Sequence, residues 1–251
     1  MWEPVALADG LGPGGVLRAA VDGQDMVVWR GRTGNLHAWD NRCPHRGMRL
    51  SFGFVRGDRL ACLYHGWQFG PDARCRYIPA HPDLEPPESI TTTAFAIAEC
   101  TGLVWVRAAP ESADRTNEIF GAAALSDEKP VAVRSLPFDV PIAHVRDALD
   151  GAAFPIDAGL KAGSGQFSTD LTSERLVVLK GTADGRQRTL IAALQPLGET
   201  RTRLHLLTAP AADAALLRLL SRWAERLRWF VENPTSETLS WSPLKTGERP
   251  A

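Results

Sequence analysis

Cys43-Pro44-His45-Arg46-Gly47 and Cys62-Leu63-Tyr64-His65-Gly66-Trp67 decide how the rest of this chain is read. Each stretch supplies one thiolate and one imidazole, so together they offer two sulfur and two nitrogen ligands. A two-iron, two-sulfide cluster takes this set when histidines replace cysteines on one of its irons. Charge explains the mixture. Two ferric ions, two sulfides and four thiolates sum to a dianion, whereas two neutral imidazoles in place of two thiolates leave the oxidised core neutral and easier to reduce. Burial penalises charge, which favours the less charged core further. The rival occupant of a Cys2His2 set is a structural zinc ion. Zinc fingers generally pair Cys with Cys and His with His, whereas here each stretch holds one of each and 16 residues, Arg46 to Ala61, lie between the two histidine-bearing halves. Gly47 and Gly66 follow the ligand histidines, where a missing Cβ lets two loops crowd together and turn through positive φ.

The other residues narrow the class. Of four cysteines in 251 residues, two are assigned to iron and Cys75 and Cys100 are left over, read as small buried hydrophobes and not as a disulfide framework. Hydrophobic residues make up 44% and the formal charge is −1, so there is a core to build and no electrostatic reason to expect nucleic acid. Met1-Trp2-Glu3-Pro4 lacks the basic stub and apolar run of a signal peptide. The apolar stretch from Leu216 to Val231 is broken by Arg218, Arg222, Glu225, Arg226 and Arg228, so no membrane segment is expected and the cytoplasm is the expected location.

Short β-rich runs bounded by Gly, Pro and Asp fill the first hundred residues: Met26 to Trp29, Leu36 to Trp39, Leu60 to Leu63 and Ile97 to Val106. Ala108 to Pro130 loses periodicity and reads as a connection. An extended run from Val131 to Ile142 follows, then strands at Arg175–Gly181 and Arg188–Gln195, joined through Asp184-Gly185, and another at Arg201–Thr208. From Ala212 to Glu232 the period changes. Leu216, Leu220, Trp223, Leu227 and Phe230 recur at three and four, and Asn233-Pro234 should end the resulting amphipathic helix.

From Trp2 to about Arg107 the chain resembles the Rieske domain of the non-haem iron ring-hydroxylating oxygenases and demethylases. The likeness rests on the two ligand stretches, the Ile78-Pro79 that follows them and the Gly102-Leu103-Val104-Trp105-Val106 strand. A cytochrome bc-type Rieske protein would carry a further cysteine in each loop, and here neither loop has one. The resemblance implies an α+β architecture: a small all-β Rieske [2Fe-2S] domain over residues 1–108, a linker over 109–130, and a truncated, degenerate helix-grip domain over 131–251, an antiparallel sheet with a long carboxy-terminal helix. In the family that second domain holds a mononuclear iron through an Asp-x-x-His-x4-His stretch and a later carboxylate. Asp150 falls on the motif's aspartate, but Ala153 and Ala158 fall on its histidines, and Asn233, beside Glu232, falls on the carboxylate. A methyl group cannot bind iron, so no mononuclear iron is expected. Of the other histidines, His37 and His81 lie in the Rieske half. His144 and His205, with Asp147 or Asp157, are the residues from which a relocated site would have to be built.

In the family's head-to-tail trimers the motif's aspartate bridges a Rieske histidine of one subunit to the iron-binding histidine of the next, so the resemblance makes Asp150 a candidate electron-relay bridge. The plainer role is to cap or solvate a short helix near Arg146. A chain with a cluster and no iron to feed suggests the Rieske iron-sulfur subunit of a heteromeric, trimer-based oxygenase. Cys43, His45, Cys62 and His65 would hold the [2Fe-2S] cluster, Trp67 and Arg46 would shield it, a reductase or ferredoxin would reduce it, and a catalytic α-type subunit would receive the electron. The alternatives are an active mono- or dioxygenase with relocated iron ligands, a redox-sensing protein that binds a small apolar ligand, and a ferredoxin-like carrier.

Overall fold

Met26, Val27, Val28 and Trp29 are all fully buried, because the strand that carries them separates two cores. Period two sorts its side chains. Met26 and Val28, with Ala38, join Val5, Leu11, Val104 and Val106 on one face. Val27 and Trp29, with Trp39, join Leu50, Leu60 and Phe69 on the other, and the same packed group contains Cys43 and Cys62. The thiol-bearing residues therefore stand on a floor of tryptophan and aliphatic side chains.

The computed structural model describes residues 1–109, 129–150, 152, 168–183, 186–210 and 212–234. The chain falls into two units, Met1–Ile119 and Phe120–Ala251. Most of the linker expected over 109–130 lies outside the described residues.

The first unit holds β1 (Trp2–Leu7), β2 (Val16–Val21), β3 (Gln24–Arg30), β4 (Leu36–Asp40), β5 (Phe54–Arg56), β6 (Arg59–Ala61), β7 (Gln68–Phe69), β8 (Cys75–Tyr77), β9 (Ala94–Cys100) and β10 (Leu103–Arg107). They form two antiparallel sheets, β1-β10-β9-β4-β3-β2 and β5-β6-β7-β8. The run Ile97–Val106, one stretch in the sequence pattern, is a hairpin of β9 and β10 that turns at Thr101 and Gly102, with φ of 52° and 70°. Two consecutive positive φ values match the twist of the flanking strands.

His37 on β4 stacks on Trp29 with ring centroids 4.4 Å apart. Burial pushes its pKa below the ordinary 6.5, and nearby Asp58 only partly offsets this. The unfolded chain therefore binds this proton more readily than the folded one, so stability present at neutral pH is lost as pH falls below about 6.5. The slope is at most about 1.4 kcal/mol per pH unit for one group. Urea unfolding at pH 7 and pH 5.5 should show wild type losing more stability on acidification than His37→Gln; equal losses would contradict this.

The second unit holds β11 (Val131–Phe138), α1 (Ile142–Asp150), β12 (Ser168–Ser173), β13 (Leu176–Ala183), β14 (Arg186–Pro196), β15 (Thr202–Thr208) and α2 (Ala214–Glu232). The sheet is antiparallel in the order β11-β15-β14-β13-β12. Leu220, Trp223, Ala224 and Leu227 of α2 pack with Val177, Leu179, Leu190, Ala192, Leu204 and Leu206, and Val145 and Leu149 of α1 join the same core. Sheet plus carboxy-terminal helix is the arrangement expected from the sequence. The extended run from Val131 stops at Phe138, four residues short of Ile142, and Pro141 immediately precedes the first residue of α1. Proline restricts the residue before it and suits a helix start, which explains the break. α2 begins two residues later than expected, because the Asp213 carboxylate accepts from the Leu216 N–H at 2.8 Å and caps it.

Candidate metal centre

The two ligand stretches fold into matching loops. Cys43 N–H donates to Met48 O at 2.8 Å and Gly47 N–H to Cys43 O at 2.8 Å; Cys62 N–H donates to Trp67 O at 2.9 Å and Gly66 N–H to Cys62 O at 3.0 Å. Each loop is thus closed from its cysteine to the fourth and fifth residues beyond, although the histidine comes two residues after Cys43 and three after Cys62. Gly47 and Gly66 take φ of 73° and 69°. A Cβ on Gly66 would lie 3.0 Å from Pro79 Cγ, which is why Ile78-Pro79 belongs to the site: the third loop covers the second. Gly66→Ala should cost about 1–2 kcal/mol from the left-handed backbone alone, seen as a lower unfolding midpoint. An unchanged midpoint would mean that the loop relaxes freely.

The loops sort their ligands by depth. Cys43 and Cys62 are each 2% exposed, whereas His65 is exposed and His45 half-buried. Burial, and after it the adjacent Cys62, pushes the Cys43 thiol up to about 12. A Cys43 thiol so placed ionises against a bound cation. The two imidazoles face each other, Nδ1 to Nδ1 at 3.2 Å. Two nitrogens bound to one metal at about 2.1 Å sit this far apart when the angle between them is about 100°. Burial, then the charges of His65 and Arg46, lowers the His45 pKa and favours the neutral ring that a metal needs. Two buried sulfurs and, toward the surface, two convergent nitrogens fit a [2Fe-2S] cluster with a sulfur-ligated inner iron and a histidine-ligated outer one. Among the described residues no three His, Cys, Asp or Glu side chains converge on one point; a cluster that takes two protein ligands per iron does not require it.

Each imidazole has an aromatic partner. Trp67 stacks on His45 at 4.2 Å and 4°, and Tyr64 stacks on His65 at 3.8 Å and 28°. Trp67 is expected from the sequence to shield the site; the sequence does not single out Tyr64, whose only signal is its place beside His65. Leu63 and Tyr64 remain 59% and 56% exposed, an apolar rim around the histidines. Neither leftover cysteine is in a disulfide. Cys75 is buried, as expected, while Cys100 is only half-buried next to the β9–β10 turn.

Only some of the second unit's candidate residues lie among those described. Asp150 is the last residue of α1 and is exposed; this is the wrong helix end for an N-cap. Ala153, Asp157 and Ala158 lie outside the described residues. His144 and Asp147 are exposed on α1, whereas His205 is buried in β15 with Nδ1 2.8 Å from Ser135 Oγ. Asn233 is the exposed C-cap of α2, its Nδ2 donating to Trp229 O at 2.8 Å, and Glu232 Oε1 accepts from Asp139 N–H at 2.8 Å.

Residues 1–92 match the Rieske [2Fe-2S] domain family. The matched residues lie in the first unit and include both loops. Oxidoreductase NdmD of Pseudomonas putida is 40% identical over 105 residues, 41% of this chain and 18% of its own. The 4beta-methylsterol monooxygenase of Methylococcus capsulatus is 32% identical over 165 residues, 64% of this chain and 39% of its own. This chain thus spans well under half the length of either relative. The crystal structure of dicamba monooxygenase shares the fold over 92% of this chain and 85% of that one, with a TM-score of 0.71 and 18% identity. The chain thus carries a Rieske [2Fe-2S] domain and is similar, in sequence and in fold, to Rieske non-haem iron oxygenases. Among the described residues no helix is long and apolar enough to cross a membrane.

Proposed function

We propose that this chain is the cluster-bearing, non-catalytic subunit of a heteromeric, trimer-based Rieske oxygenase in the cytoplasm. A reductase or ferredoxin stands upstream of it, and a catalytic α-type subunit with its own mononuclear iron stands downstream. One observation carries the reading: the chain keeps a full set of cluster ligands on an exposed tip but has Ala153 and Ala158 where the family's second domain has its iron-binding histidines.

When bound, the cluster supplies one-electron storage at a raised potential. Cys43 and Cys62 would bind its inner iron, and His45 and His65 its outer one. Trp67 and Tyr64 hold the imidazole planes. Because the Nδ1 atoms face each other, each ring leaves Nε2 for a hydrogen bond to a carboxylate of a docked subunit, which fixes the tautomer. Leu63 and Tyr64 would exclude water from that contact. Asp150 would offer the equivalent carboxylate to a neighbour's cluster histidine. Its position supports a role outside its own helix, since a carboxylate at a helix carboxy terminus opposes the macrodipole by about 0.3–1 kcal/mol.

The test is co-purification. Tagged full-length chain, expressed in its native background, should bring down a larger Rieske oxygenase α subunit, and substrate oxidation should require both. Turnover by the chain alone with a reductase would refute the reading.

A further inference from the structure

The β5–β6 hairpin turns at Gly57-Asp58, and its register sets Arg56 directly opposite Arg59. Like charges so placed repel. The carboxylate in the turn makes its hydrogen bonds elsewhere: Asp58 accepts from the Thr33 N–H and hydroxyl, both at 2.9 Å, and these bonds hold its carboxyl below the usual range. Among the described residues neither Arg56 nor Arg59 has a hydrogen bond or an ion pair. Both line a surface groove of about 680 Å³ with Gly70, Asp72 and Arg76, and the Asp72 carboxylate is itself paired with Arg76. Between Asn41 and Tyr77 the chain carries seven arginines against two acidic residues, Asp58 and Asp72.

The groove also has a defined relation to the cluster cradle. Arg59 opens β6, which runs directly into Cys62, and Gly70 follows β7, which leaves the same loop after Trp67. At a strand rise of about 3.3 Å per residue the groove lies about 10 Å along β6 from Cys62, toward the hairpin turn and not toward the loop residues that carry the histidines.

We propose that this groove docks the acidic surface of a ferredoxin-class electron donor, whose carboxylates pair with Arg56 and Arg59. The proposal rests on the first unit carrying a Rieske cluster. Paired guanidiniums suit bidentate carboxylates, and the volume exceeds what a single small anion fills. One electron passes from the donor's reduced iron–sulfur centre to this one, with no atom or proton transferred. The donor thus uses the hairpin end and leaves the exposed histidines to the acceptor, so one domain serves both partners without exchanging them.

The probe is a plant-type [2Fe-2S] ferredoxin, strongly acidic, titrated calorimetrically into the cluster-loaded full chain over a salt series. Affinity should fall with salt for wild type. Arg56→Glu/Arg59→Glu should weaken binding about 30-fold at low salt and flatten the salt dependence, in line with loss of steering charge pairs. Arg218→Glu/Arg222→Glu on α2 makes the same change in net charge and should stay within about twofold. Should the glutamate pair fail to take up cluster, Arg56→Gln/Arg59→Gln serves instead, with a loss of about 10-fold expected. Equal binding by wild type and groove variants, an equal loss in the α2 control, or displacement of the ferredoxin by NADPH from the groove would each overturn the proposal. Co-purification of an α subunit reads the subunit role separately, so either result stands without the other.

Discussion

Cys43→Ala protein should contain no iron and no acid-labile sulfide, and should lose the visible absorption of the wild type completely. In the proposed ligation this one sulfur would supply half of one iron's protein ligands, and a methyl group cannot replace it. The thiol it leaves behind, Cys62, is 2% exposed and cannot hold an iron by itself. Cys62→Ala should behave in the same way. The fold should survive, because Trp29, Trp39, Leu60 and Phe69 beneath the loops do not depend on metal. Cys75→Ala provides the contrast: its sulfur is directed at the Tyr77 carbonyl at 3.7 Å, so full cluster content is expected. Cluster retained in Cys43→Ala, or zinc in place of iron in the wild type, would refute the ligand assignment.

Asp150→Asn carries the second large expectation. If this carboxylate accepts a hydrogen bond from a neighbouring subunit's imidazole, the amide removes a charge-assisted contact worth about 1.5–3 kcal/mol. Subunit association should then weaken roughly 10–100-fold, the change in equilibrium constant that such a free energy corresponds to. Cluster content should not move, since the residue is exposed at the end of α1, remote in sequence from the ligand loops. Sedimentation of the mixed assembly over a concentration series reads the association directly. An unchanged association constant would remove Asp150 from the contact between subunits.

The cluster cradle was legible because its chemistry is written in two contiguous stretches, each with thiolate, imidazole and glycine within five residues. α2 was legible because its apolar residues keep the helical period. Other features depend on information that no local window holds. Ser168-Thr169-Asp170-Leu171-Thr172-Ser173 looks like loop, and becomes β12 because β13 offers it an edge to pair with. The start of α1 is fixed by Pro141 against a run of residues that would otherwise continue the strand. Tyr64 becomes a ring partner of His65, and Arg56 a cross-strand neighbour of Arg59, only once loop closure and strand register are set.

Iron and sulfide content of the purified full-length chain is the most direct test of the central claim, that it carries a cluster and no second iron. Two irons and two sulfides per chain are predicted, with the spectrum of a histidine-ligated cluster and no oxygen-dependent turnover. Three irons per chain, the third bound in the second unit and accompanied by unaided substrate oxidation, would contradict it.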